Sequence, residues 1–252
     1  MRSSDRYGRR DVLRWMGATA LTSLLPVGCS QDGRGGTPAG TPMLRVLLLE
    51  NQPHVSVAAS DSPSVRVGGQ STPQQLHFGT SAVPITLTAS GWRIGSAQLG
   101  LGEMILDPAT TGSITLAGKR YHGRFRFVPA GANHFDVINE LDLETYLRGV
   151  LSSELFPNWH EEAYKAQAIV ARTYALYEAR TDGLSRNFDV FADQRSQVYG
   201  GISAETARSR QATQDTMGIV VASGPVGREV IFKSYFSSCC GGIGQSAYDA
   251  FG

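Results

Sequence analysis

The apolar residues of this chain keep a period of two up to Leu141 and take a helical period from Leu143 onward, and no other feature restricts the fold as much. Short alternating runs at residues 45–49, 64–67, 83–88, 113–116 and 121–128 predict antiparallel strands with one buried face. In the last run Tyr121, Gly123, Phe125 and Phe127 share one face and His122, Arg124 and Arg126 the other, which reads as a solvated outer face. Gly68-Gly69, Ser90-Gly91 and Thr111-Gly112 supply turns. Asp142 is the expected cap of a helix whose Leu143, Leu147, Val150 and Leu151 form one stripe. Residues 159–179 hold no Gly or Pro and are rich in alanine, so a helix of about five to six turns is expected, opened by Asn158 and Glu161 as a capping box. A further helix is expected over 203–217, with strands over 219–221 and 230–236. The fold class is α+β, a β-rich N-terminal region followed by a helix-containing one.

With 41% hydrophobic and 18% charged residues, the 252-residue chain has enough apolar surface for a core, which excludes intrinsic disorder. Its formal charge of +1 comes from the start: beyond residue 28 there are 18 basic and 20 acidic residues. That balance leaves no electrostatic footprint for nucleic acid, and none is expected as a partner. Arg9-Arg10 ahead of the apolar residues 15–27 reads as a twin-arginine export signal, too short to cross a hydrocarbon core of about 30 Å. Leu24-Leu25-Pro26-Val27-Gly28-Cys29 resembles a lipobox, with Pro26 where leucine is usual, so Cys29 is the expected lipid anchor. The expected organisation is an export signal over 1–29, a flexible Gly-, Thr- and Pro-rich linker over 30–43, a β-rich region over 44–128 and a helix-containing domain over 129–252. A periplasmic or cell-envelope location follows, with the membrane reached through the lipid alone.

Chemistry concentrates between Glu154 and Arg172. Glu154 lies between a helix end and Pro157, with Leu155, Phe156 and Trp159 close in sequence. Such apolar surroundings disfavour a charged carboxylate and suit a general acid. From spacing alone, a residue that pairs with a cation or caps the next helix fits better. Lys165 and Arg172, seven apart on the long helix, project from nearly the same side. They read either as a cationic stripe open to a ligand or as a solvated face with a Glu161–Lys165 pair.

The ordered segments decide between these readings. Residues 141–151, Ser153-Glu154 with Pro157, and residues 162–175 closely resemble the SpoIID/LytB family, and Phe188-Asp189-Val190, residues 196–201, 216–221 and 235–242 continue the match. Members of that family act on bacterial cell-wall glycan, some as lytic transglycosylases on peptide-stripped strands and others as amidase enhancers. The resemblance implies Glu154 as the catalytic acid and Lys165 and Arg172 as substrate-binding residues, with glycan strands as substrate and a cell-wall amidase as candidate partner. It also implies a segment beyond Gly252, so a fragment or shortened form is expected. Glu154 is expected to act as a single acid/base that leaves 1,6-anhydro-muramic ends; the alternative is a non-catalytic glycan-binding enhancer of an amidase.

Gln197, with Asp189 and Asp193, is expected along the same cleft, and Tyr199 and Tyr235 are candidates to stack on sugar rings, with core packing as their other reading. Adjacent Cys239 and Cys240 lack the C-x-x-C spacing of a common zinc site. No cofactor is expected; a structural zinc enters only because some relatives bind one, and a cysteine nucleophile paired with His160 is the weaker remaining option.

Overall fold

The computed structural model describes the backbone of residues 12–14, together with residues 40–69, 72–76, 81–109, 112–237, 242 and 246. Arg9, Arg10, Cys29, Cys239 and Cys240 lie outside the described residues.

Two sheets carry the alternating half of the chain. One has seven strands in the order Val190–Phe191, Met43–Gln52, Phe135–Asp142, Arg124–Pro129, Met104–Asp107, Ser64–Val67 and Gln74–Gln75. The other has six: Lys119–Tyr121, Ile114–Leu116, His54–Ala59, Val83–Thr88, Gly91–Ile94 and Ala97–Gln98. Among the described residues, each pairing is antiparallel except that of Val190–Phe191 with Met43–Gln52. The inward alternate residues of both sheets meet in one core, where Val55, Val57, Ile85 and Ile94 join Val65, Met104, Leu106, Phe125 and Phe127. Trp92 closes it, edge-on to Phe135 at 5.0 Å and with its indole N–H donating to Gly102 O at 2.7 Å.

Phe135–Asp142 sits between Met43–Gln52 and Arg124–Pro129 and is buried on both faces. The boundary drawn at 128/129 from the sequence falls inside Arg124–Pro129, one strand away. The expected strand over 121–128 is interrupted at Gly123. A Cβ there would strike Glu140 O, and φ of +75° suits glycine alone. The outer arginines are less solvated than their alternation suggests: Arg126 bridges Glu103 and Glu140, and Arg124 meets Glu140 at 2.6 Å.

Among the described residues three α-helices follow: α1 (Leu143–Glu154), α2 (Glu161–Arg180) and α3 (Ala207–Asp215). Asp142 caps α1 as expected, its Oδ1 accepting from Thr145 N–H at 2.9 Å. The second cap differs: His160 Nδ1, not Asn158, accepts from Glu162 N–H at 3.2 Å. The helix expected over 203–217 splits into a 3₁₀ turn, Gly201–Ala204, and α3, which Thr206 and Ser209 open as a reciprocal capping box. Tyr146, Leu147 and Val150 of α1 and Ala171, Tyr174 and Ala175 of α2 join the sheet core. The expected strand over 230–236 shortens to Val230–Ile231, which forms a third sheet with Ile219–Ser223 and Val12–Arg14. Among the described residues no helix is long and apolar enough to cross a membrane.

Candidate active site

Glu154 ends α1, where Leu155 N–H closes the last turn on Leu151 O at 3.0 Å and Pro157 forbids continuation. Its half-buried side chain faces a groove of about 490 Å³, which Ser153, Tyr174, Gln194, Arg195, Ser196, Val198, Tyr235 and Phe236 line. Glu154 Oε1 accepts from Val198 N–H at 2.7 Å, a short hydrogen bond from the loop opposite. That loop is braced on itself: Phe191 N–H donates to Ser196 Oγ at 3.1 Å and Tyr199 N–H to Ala192 O at 3.0 Å. Its start is tied to the sheet by the parallel pairing of Val190–Phe191.

The apolar walls are not those that sequence proximity suggests. Leu155 is buried with Leu151 and Tyr164, while Phe156 and Trp159 are exposed and contact each other. The groove instead takes Tyr174 from α2 and Tyr235 and Phe236 from the segment after Val230–Ile231. Tyr174 and Tyr235 meet edge-to-face at 6.5 Å. Burial pushes the Tyr174 phenol upward, against a Ser196 hydrogen bond that lowers it, so Tyr174 stays neutral.

The sequence-predicted residues divide. Glu154 and Tyr235 share the groove; Lys165, Arg172, Gln197 and Tyr199 do not line it. Arg172 is 1% exposed, and its guanidinium meets Glu144 of α1 twice, at 2.8 and 2.7 Å. It also donates to Ile219 O at 2.9 Å and reaches Thr213 O and Thr216 Oγ1 of the α3 end at 3.4 Å. These contacts bind three helices and a strand together and leave no donor for a glycan carboxylate. Lys165 pairs with Glu162 at 2.8 Å, one residue from the expected Glu161, and with Asp215 at 3.4 Å. Gln197 is fully buried, and Tyr199 packs on Tyr146 and Tyr121 with its hydroxyl on Asn139. Asp189 is buried and locked to the partly exposed Arg45, and Asp193 lies with Arg195, whose hydrogen bond holds its carboxyl below the usual range.

Tyr174, Ser196 and the Val198 N–H were not singled out in the sequence. A backbone donor has no residue signature, and Tyr174 is recognised only once Tyr235 is seen against it. Among the described residues Arg195 is the groove-lining cation; Glu50 at 2.6 Å and Asp193 at 2.8 Å share its charge. Among the described residues no three His, Cys, Asp or Glu side chains converge as a metal site.

Fold and site thus define an α+β protein with a carboxylate at the mouth of an aromatic-walled groove. Residues 131–222 match the SpoIID family, described as stage II sporulation protein. Its members have cell-wall-related roles at the cell envelope. The match takes in all three helices, Glu154 and Val198, and ends before Tyr235 and Phe236. An uncharacterised protein of Brachyspira hyodysenteriae is 39% identical over 57% of this chain and 38% of its own length. Another, of Chlamydia pneumoniae, is 28% identical over 72% of this chain and 66% of its own length. The chain therefore spans less than two thirds of either relative. No solved structure matches.

Proposed function

We propose that the protein is a peptidoglycan lytic transglycosylase with Glu154 as its single acid/base. The observation that carries this reading is the carboxylate itself, held by Val198 N–H at the edge of a groove walled by Tyr174, Tyr235 and Phe236. Aromatic faces suit sugar rings, and a positioned carboxyl group suits protonation of a glycosidic oxygen. Neutral Glu154 donates its proton to the oxygen leaving muramic C1 as that bond breaks. The C6 hydroxyl of the same sugar then bonds to C1 and returns its proton to the Glu154 carboxylate. The ring closes as a 1,6-anhydro sugar, the acid is regenerated and no water is consumed, so one carboxyl group suffices.

On purified, peptide-stripped glycan, mass spectrometry should detect anhydro ends with the native chain. Glu154→Gln should retain glycan in pull-down while losing about 10²–10⁴-fold or more in rate. Normal turnover by Glu154→Gln overturns the assignment. The aromatic walls also suit the second reading, a glycan-binding enhancer of a cell-wall amidase; pull-down with no mass change by the native chain selects it. Export through the twin-arginine segment and anchoring at Cys29 belong to the same proposal, and Cys29→Ala should then leave the membrane fraction.

A further inference from the structure

Gln197 is too deeply buried to touch a glycan, and its contacts point to another task. Its side-chain oxygen accepts from the Tyr146 hydroxyl of α1 at 3.2 Å, and its amide nitrogen donates to Ala171 O of α2 at 3.4 Å. A phenol donor and a carbonyl acceptor are satisfied together only by a group with both functions, which a carboxamide has. One residue on, Val198 N–H reaches Glu154 Oε1 at 2.7 Å. The loop approaches α1 this closely because residue 149 is glycine. A Cβ there would lie 2.8 Å from the Tyr199 ring and 2.9 Å from Gly201 O, and Gly200 N–H donates to Gly149 O at 3.2 Å.

We infer that Gln197 is a positioning residue which, clamped between α1 and α2, aims the Val198 N–H at Glu154 and so selects the carboxyl oxygen that carries the transferable proton. The chemical half of this inference rests on Glu154 being the acid/base; the geometric half does not. The oxygen that accepts an N–H is the carbonyl oxygen of the neutral acid, which puts the proton on Oε2. After transfer, the same N–H stabilises the carboxylate that must take up the C6 hydroxyl proton. Burial pushes the Tyr146 phenol well above its usual range, so its hydroxyl stays a donor to Gln197.

Two variants test this: Gln197→Met, which keeps volume and removes both hydrogen bonds, and Tyr146→Phe, which removes one oxygen. On peptide-stripped glycan Gln197→Met should lower kcat by about 10²-fold with KM unchanged within about twofold. A lost glycan contact would raise KM instead and overturn the inference. In ¹⁵N-labelled native protein the Val198 amide should follow protonation of Glu154 during acid titration, and this movement should vanish in Glu154→Gln. It should also be lost in Gln197→Met and diminished in Tyr146→Phe. An unaltered Val198 response in Gln197→Met overturns the inference whatever the glycan result. A native chain that cleaves nothing, with a Val198 response still dependent on Gln197, removes the catalytic reading and leaves the positioning role standing. If Gln197→Met does not fold, Tyr146→Phe supplies both readouts.

Discussion

Arg172 and Glu144 hold opposite charges where water scarcely enters, their side chains 1% and 5% exposed. Desolvating both is costly, and the two-pronged contact with its extra carbonyl acceptors is what offsets it. Arg172→Met should therefore destabilise the chain by about 3–5 kcal/mol, because Glu144 is left as an uncompensated buried charge. The added change Glu144→Leu should recover part of that loss in urea unfolding. Glycan binding tested on the refolded double variant should return with stability; binding that stays lost while folding recovers would restore Arg172 as a glycan contact. A seven-residue spacing shows that Lys165 and Arg172 share a side of α2, but in an alanine-rich helix it does not show which side is covered. For that reason Glu154 and Tyr235 are legible as residues of the groove, whereas Arg172, Gln197 and Tyr199 are legible only as polar residues near them.

At the scale of elements, capping separates what sequence records from what it conceals. Asp142 stands directly before an apolar stripe and forms its expected bond, so Asp142→Ala should cost about 0.5–2 kcal/mol in thermal or urea unfolding. Asn158 has the chemistry of a cap, but Trp159 N–H folds onto Phe156 O at 3.1 Å, and the turn delays α2 to Glu161. Asn158→Ala should accordingly stay within about 0.5 kcal/mol of the native chain. A loss near that of Asp142→Ala would restore Asn158 as the cap. The strands were read well because alternation is local, as at Ser64–Val67 and Val83–Thr88. The pairing of Val190–Phe191 with Met43–Gln52, which starts the Val198 loop, joins residues over a hundred positions apart and left no local trace.

For the molecule as a whole, Glu205 links the sheets to the helices. It accepts from His122 of the loop before Arg124–Pro129 at 3.0 Å and meets Arg210 of α3 at 3.5 Å, and Arg148 of α1 adds its charge. Burial favours its neutral form, but the His122 hydrogen bond and these cations prevail and hold the carboxyl below its ordinary range. A depressed carboxyl contributes its stability in full above the unfolded value, about pH 4.3, and loses it as pH falls through the folded value. The native Tm should consequently fall more steeply than that of Glu205→Gln on acidification below about pH 5, while the variant is the less stable at neutral pH. A Tm difference constant across that interval would remove Glu205 from the acid response. Because Glu205 closes the same chain segment that carries Val198 toward Glu154, acid should loosen the groove along with the fold. Activity of the native chain should then decline over the acidic interval in which Tm falls, and Glu205→Gln should narrow that shared interval rather than move its neutral end.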